Sequence, residues 1–286
     1  MRENIFIKFM TRTAEQTTYL TKILGKRRER IEEDFAGVSI EDLRREAFEK
    51  RANAESNRLQ KALENTERTN IIAEFKRVSP SKGAINTDAK PEEIAQKYFE
   101  NGAAAISVLT EPDFFGGSFE DLKAVVAATN NQIPVLCKDF IFDERQIFQT
   151  AIAGASAILL IVAAFAETEI DKLKNLFDLA GELGLDVLVE VHTKEELEAA
   201  GQTGAKIVGV NNRNLQTFAV SLGTSVELIN SAPRDVIMIS ESGLKTREDI
   251  LRLKNLGFRG FLIGETLMRS GNIERELRSL AADSRG

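Results

Sequence analysis

The chain has one cysteine, Cys137, one histidine, His192, no tryptophan and two tyrosines among its 286 residues. A disulfide framework needs pairs of thiols, so a stapled extracellular scaffold is excluded. A structural zinc centre wants about four Cys or His ligands, and two isolated candidates do not supply them. Serine–histidine catalysis would have to run through His192 alone. Long hydrophobic runs are missing too: the longest, 157–166, falls far short of the ~20 residues a spanning helix needs. The N-terminus, MRENIFIKFMTRTAEQ, mixes both charge signs and has no sustained apolar stretch before a small-residue cleavage site, so it does not read as an export signal. Positive charge is not in excess either. The 38 Lys and Arg stand against 44 Asp and Glu, a net charge of −6, whereas a nucleic-acid binder usually shows a basic surplus. A cytoplasmic chain is expected, with no nucleic-acid or membrane partner, and any chemistry must rest on Lys, Glu, Asp, Asn and Ser.

What is present is a globular composition, 43% hydrophobic and 29% charged, with an aliphatic rather than aromatic core. From residue 71 onward, short apolar runs alternate with stretches of helical period. The runs are 71–75 (IIAEF), 104–109 (AAISVL), 134–138 (PVLCK), 157–162 (AILLIV), 186–191 (DVLVEV), 206–210 (KIVGV), 236–240 (VIMIS) and 260–264 (GFLIG). Their starts lie about 27 residues apart, close to the length of a strand–helix unit. Continuous rather than alternating apolar runs indicate strands covered on both faces, hence a parallel sheet. Ser118, Thr193 and Thr246 each stand three residues before a carboxylate, as N-caps do, and Gly102, Gly154, Gly184, Gly204 and Gly257 precede strands where a left-handed C-cap is expected. Eight such units, with no G-x-G-x-x-G after the first strand, predict an α/β fold, a single (β/α)8 barrel. Residues 1–66 do not repeat. They read as an N-terminal helical extension packed on a barrel of residues 67–286, with helices over 20–34 and 39–51, the latter opened by a capping box at Ser39, and with residues 1–17 loose. The basic run Lys26-Arg-Arg-Glu-Arg30 is followed by acids and reads as a solvated helix face.

In parallel barrels the C-terminal strand ends build the site. Here they carry Glu74 and Lys76; Thr110 and Glu111; Lys138 and Phe140; Ala163; Glu190; Asn211 and Arg213; Glu241 and Ser242; Gly264 and Glu265. Side chains at i and i+2 of a strand share a face, so Glu74 with Lys76, Lys138 with Phe140, and Asn211 with Arg213 point the same way. Singly, each charge could belong to a structural ion pair. Collected on one barrel mouth, they point to a site, because burying ionisable groups is costly unless they are paired. Ser242-Gly243 and Gly264-Glu265 follow strands seven and eight, where barrels often hold phosphate on backbone N–H groups; ordinary glycine turns are the alternative. His192 reads as a supporting residue near Glu190, and Cys137 as an inert thiol facing the helix layer.

The segment IIAEFKRVSPSKG (71–83) resembles the signature of indole-3-glycerol-phosphate synthases, and SVLTEPDFFGGS (107–118), PVLCKDF (134–140), ILLIV (158–162), LVEVH (188–192), GVNNRNL (209–215), SESG (240–243) and FLIGETLM (261–268) agree in order. The resemblance implies a cofactor-free and metal-free carboxy-lyase of tryptophan biosynthesis. Such an enzyme closes 1-(2-carboxyphenylamino)-1-deoxyribulose 5-phosphate into indole-3-glycerol phosphate with loss of carbon dioxide and water. It implies Lys138 as general acid, Glu190 as its partner carboxylate, and Glu74, Lys76 and Asn211 as a polar cluster that orients the substrate. It further implies Ser79, Arg213, Glu241 and Ser242 as substrate contacts, Ser242, Gly243, Gly264 and Glu265 at the phosphate, and Phe115, Phe140, Leu159 and Ile161 around the aromatic ring. Some relatives carry Ser where Glu265 stands, so only the backbone is claimed there. The expected partner is a phosphorylated small molecule, met by local positive charge from Lys76, Arg77, Lys82, Lys138 and Arg213, and the chain is expected to act as a monomer or weak homo-oligomer. The 79–83 loop, with Ser, Gly and Lys82, is the expected lid. Two other readings are a ribulose-phosphate barrel of the phosphoribosyl isomerase type and a non-catalytic phosphate-binding barrel. The first would want a Cys or Asp acid–base pair, and the second would not need both Lys138 and Glu190.

Overall fold

A computed structural model describes residues 18–214 and 217–282. The expectation of a loose segment over 1–17 lies outside the described residues. Eight parallel strands close into a barrel: β1 (Ile71–Phe75), β2 (Ala105–Leu109), β3 (Val135–Lys138), β4 (Ala157–Ile161), β5 (Asp186–Val191), β6 (Ile207–Asn211), β7 (Ile237–Glu241) and β8 (Gly260–Ile263). Each strand pairs with its chain neighbours, and β8 returns to β1. The expected strands are met to within a residue at each end, and the differences have physical causes. Val162 leaves β4 to start a 3₁₀ turn. β6 and β7 each run one residue further than the apolar pattern, because Asn211 and Glu241 are paired in the ladder. These two polar groups are therefore held by strand hydrogen bonding rather than by loops.

Strand alternation divides the side chains between two cores. Ile72, Leu136, Leu159, Leu188, Ile207, Ile239 and Leu262 fill the barrel. Ile71, Ala73, Val135, Cys137, Ile158, Val189, Val208 and Phe261 face the helices. Each fully buried aliphatic side chain of this kind contributes about 1.5–3 kcal/mol. The same alternation, carried to the C-terminal strand ends, turns Glu74, Lys138, Glu190, Asn211 and Glu241 inward, each two residues beyond an inward apolar or glycine position.

Before β1 the chain forms α1 (Tyr19–Asp34), α2 (Ile40–Arg51) and α3 (Arg58–Glu64). Thr18 and Ser39 cap the first two through their hydroxyls. The short α3 was not expected; it opens at Asn57, which is left-handed and makes no side-chain cap. Its Leu59 and Leu63 are fully buried in the barrel-filling core, so α3 closes the N-terminal end of the barrel. Ile23 of α1 joins the same core from the opposite end. Around the barrel, Ser118, Thr193 and Thr246 each accept an N-cap hydrogen bond. Gly102, Gly154, Gly184, Gly204 and Gly257 all have positive φ where the helices end.

The loop expected to form a lid is a small antiparallel hairpin, Val78–Ser79 against Gly83–Ala84. Its tip is tied across the mouth, where Arg213 Nη1 donates to Ser81 Oγ at 2.9 Å.

Candidate active site

A cavity of about 870 Å³ opens at the C-terminal mouth. On its floor the Lys138 ammonium lies 3.3 Å from Glu241 Oε2, 3.6 Å from Glu190 Oε2 and 3.9 Å from Glu74 Oε2. Burial disfavours its charge, but the three carboxylates more than offset this and hold the lysine above its ordinary value. Lys76 Nζ donates to Glu74 Oε1 at 2.5 Å, as the two-residue spacing predicts. Burial pushes the Glu74 carboxyl up, yet Lys76 and Lys138 hold it below the usual carboxylate range. Glu241 goes the other way, to about 7, because burial and its neighbours Glu190 and Glu74 outweigh the attraction of Lys138. Asn211 Nδ2 donates to Glu190 Oε1 at 3.0 Å, and its Oδ1 accepts from the Arg213 N–H. His192 stands behind the cavity wall, 3.4 Å from Glu190 Oε1 and 3.2 Å from Glu196 Oε2, which agrees with a supporting position. Burial lowers its basicity, and the hydrogen bond to Glu196 and the charge of Glu190 more than restore it, so the ring titrates above its ordinary value.

One side of the cavity is apolar. Phe115 and Phe140, with ring centres 6.0 Å apart, stand beside Leu159 and Ile161. The rest of this wall comes from α1, whose Tyr19, Leu20 and Ile23 line the cavity. Tyr19 meets Phe114 edge-on at 5.5 Å and Phe218 at 4.7 Å, spanning the loops after β2 and β6. α1 is fixed there by Arg27, which is 2% exposed. Its Nε and Nη2 donate to the two Asp139 oxygens at 3.0 Å each, and Thr110 Oγ1 donates to Asp139 Oδ2 at 2.6 Å. The basic run of α1 is therefore solvated except at Arg27. Arg27 is buried, Arg30 is bidentate with Asp113, and Arg28 lies over the Phe142 ring.

The far side carries two glycine-containing turns. Ser242 and Gly243 both have positive φ, 65° and 82°, after β7. Asn212 holds this turn, donating to Ser240 Oγ at 2.9 Å and to the Glu241 and Ser242 carbonyls at 2.9 and 3.2 Å. Gly264 and Glu265 stand beside it at the end of the neighbouring strand β8, and the Glu265 carboxylate is drawn to Arg269 at 3.4 Å and Arg213 at 4.0 Å. Ser79 and Arg213 complete the lining. Gly264 is more than a turn residue, since a Cβ there would lie 2.3 Å from Glu74 Oε1.

Every residue that the resemblance placed at the site lines this one cavity. Thr110, Glu111 and Ala163 do not. Glu111 instead caps the helix Pro112–Phe115, accepting from three backbone N–H groups. Arg77 also turns away, onto Asp121 with an N–O distance of 2.9 Å, so it adds no charge to the cavity. Among the described residues six cationic and six anionic side chains line the space, with no net positive excess. Depth separates the signs in part. Glu74, Asp139, Glu190 and Glu241 are buried at the floor around Lys138, while Lys82, Lys245 and Arg269 are exposed at the rim, and Asp249 and Glu265 are half-buried.

A sequence profile described as indole-3-glycerol phosphate synthase matches residues 20–280. The chain belongs to the indole-3-glycerol phosphate synthase family. It is 46% identical over 262 residues to the indole-3-glycerol phosphate synthase of Endomicrobium trichonymphae, covering 91% of this chain and 98% of that one. To that of Carboxydothermus hydrogenoformans it is 41% identical, covering 92% and 100%. Among solved structures it is similar to 3-hexulose-6-phosphate synthase from Salmonella typhimurium, with a TM-score of 0.58, 14% identity and coverage of 74% and 96%. It is likewise similar to thiamine phosphate pyrophosphorylase from Pyrococcus furiosus, with a TM-score of 0.56, 14% identity and coverage of 74% and 93%. At that identity the likeness shows the barrel fold alone.

In this indole-3-glycerol phosphate synthase family chain, further residues line or brace the cavity. Tyr19, Leu20, Ile23 and Arg27 lie on α1, and Ile23, Arg27 and Ile31 recur every four residues on its buried face. That spacing was the available signal for Arg27. Asn212 carried no comparable signal, because its partners are the ends of another strand.

Proposed function

We propose that the chain acts as an indole-3-glycerol phosphate synthase, a carboxy-lyase that converts 1-(2-carboxyphenylamino)-1-deoxyribulose 5-phosphate to indole-3-glycerol phosphate, carbon dioxide and water. The observation that carries this reading is the Lys138 ammonium, kept charged by Glu241, Glu190 and Glu74 between an apolar wall and an anion-binding end. The substrate has the same three parts: an aromatic ring, a ketone and a phosphate. In this reading the ring packs on Phe115, Phe140, Leu159 and Ile161. The phosphate meets the backbone of Ser242-Gly243 and Gly264-Glu265 together with Ser79 and Arg213.

The ketone then falls over the lysine. The carboxyl-bearing ring carbon attacks C2′ as Lys138 gives its proton to the carbonyl oxygen, so a C–C bond forms and an iminium develops at the nitrogen. Glu190, held by Asn211, stabilises that cation and takes up protons in the later steps. Loss of the carboxylate as carbon dioxide neutralises the iminium. The C2′ hydroxyl then leaves as water while a proton leaves C1′, assisted by Lys76 and Glu74, and the indole ring is complete. The phosphoribosyl isomerase reading is disfavoured because the one thiol, Cys137, faces the helices and is pushed up to about 12 by burial.

The test is incubation of the purified chain with this substrate, following indole absorbance and released carbon dioxide. Stoichiometric appearance of both is expected, at a rate unchanged by EDTA. Failure to release carbon dioxide would overturn the reading.

A further inference from the structure

Gly209 lies in the middle of β6, where it pairs with Ile239 and Glu190. Its φ is not in the left-handed region, so the backbone there is ordinary strand that any residue adopts. Glycine weakens a strand interior, so a glycine kept there calls for a spatial reason. A Cβ built on Gly209 would lie 2.1 Å from Glu241 Oε1 and 3.1 Å from Leu188 Cδ1, well inside the contact distance of real Cβ atoms for the first. The carboxylate of Glu241 thus occupies the volume that a side chain at 209 would need.

Glu241 is itself unusual. It is 1% exposed, and among the described residues its carboxylate has no polar partner beyond the Lys138 ammonium. Among the described residues the cation paired with it is Lys138, at 3.3 Å. The other two carboxylates around Lys138 have polar anchors, Lys76 for Glu74 and Asn211 for Glu190. Beyond its contact with Lys138, packing therefore fixes where the Glu241 carboxylate sits, and the packing that admits it is the gap at Gly209.

We propose that Gly209 is a positioning residue: the space left by its missing side chain seats the Glu241 carboxylate beside Lys138, and so sets how firmly the proton for ring closure is held. The inference rests on the reading of Lys138 as the proton donor. Gly209→Ala forces the carboxylate out of its seat and away from the ammonium. Lys138 then loses a counter-charge, and the alkaline limb of the kcat profile moves to lower pH.

The experiment compares wild type, Gly209→Ala, Glu241→Ala and the double variant. In Gly209→Ala, kcat is expected to fall at least tenfold with KM changed less than threefold. In the Glu241→Ala background the same substitution is expected to cost less than twofold, because the seat is already empty. An equal loss in both backgrounds overturns the proposal. A readout independent of turnover comes from ¹³C-carboxyl-labelled glutamate, with the Glu241 resonance assigned by its loss in Glu241→Gln. Its titration midpoint is expected to move by at least half a pH unit in Gly209→Ala, and an unmoved midpoint also overturns the proposal. If Gly209→Ala fails to fold, the double variant decides: recovered folding supports the seat, and continued misfolding refutes it. A wild-type chain that does not turn over the substrate sinks the proposed activity, while the carboxyl titration still reports on the seat.

Discussion

Lys138 keeps its proton because three carboxylates crowd one ammonium, and those carboxylates are not equivalent. Glu74 is shared with Lys76 and stays ionised, whereas Glu241 is buried with no polar partner beyond Lys138 among the described residues and pushed up to about 7. Lys138→Met removes the acid but leaves the ring wall and the phosphate end intact. The expected outcome is a fall in kcat of about 10²–10⁴-fold, with substrate affinity within about tenfold, read by steady-state kinetics and calorimetry. Near-native kcat would remove Lys138 from the chemistry. Glu241 leads to a stability prediction of opposite sign to the usual carboxylate. Its folded-state value lies above the ordinary 4.5, so between about 4.5 and about 7 the folded chain holds a proton that the unfolded chain has released. Stability contributed by this group is therefore present at low pH and is lost as pH rises through that window. Glu241→Gln, which keeps shape without charge, is expected to flatten the decline in Tm between pH 5 and pH 8. At pH 8 it should be the more stable protein by about 1–3 kcal/mol. Parallel Tm–pH curves for the two proteins would refute this.

At the scale of elements, α1 belongs to the site as much as any strand does. It brings Tyr19, Leu20 and Ile23 over the cavity and is locked by the buried Arg27–Asp139 pair, whose acid stands between Lys138 and Phe140 in the chain. Removing one partner of a buried pair leaves the other charge uncompensated. Arg27→Ala is thus expected to lower stability by about 3–5 kcal/mol in urea unfolding and to raise KM as the wall loosens. A loss below about 1 kcal/mol would mean that the pair is solvated and α1 is held by its apolar face alone. The strands, the N-caps and the inward array at the mouth were legible in the sequence because each depends on local periodicity, on spacings of two and three residues. The sequence hid what depends on chains meeting in space. Arg27 reads as one charge among many on α1 until Asp139 is opposite it. Gly209 reads as a weak point in a strand until Glu241 leans into it. α3 lacks a side-chain cap, and its two buried leucines are too few to establish a helical period.

Across the whole molecule, a chain of net charge −6 must admit a substrate that carries a phosphate and a carboxylate. The cavity does not achieve this by a positive excess, since its cationic and anionic linings are equal in number. It does so by placing Lys82, Lys245 and Arg269 at the exposed rim and keeping the carboxylates of Glu74, Glu190 and Glu241 on the floor, each within 4 Å of Lys138. An approaching polyanion meets the rim first. The floor acids lie beneath it, their charge countered by Lys138 and Lys76. Rim charges in water act over about a Debye length, roughly 8 Å at physiological salt and about 3 Å at 1 M. Floor pairs are shielded from salt by burial. Raising sodium chloride from 0.02 to 0.5 M is therefore expected to lower kcat/KM several-fold while leaving kcat within about twofold, because capture is screened and chemistry is not. Lys245→Glu, which reverses one rim charge without touching the floor, should lower kcat/KM at low salt and weaken its salt dependence. If kcat falls with salt in step with kcat/KM, the screened charges lie on the floor, and the segregation of signs has no part in capture.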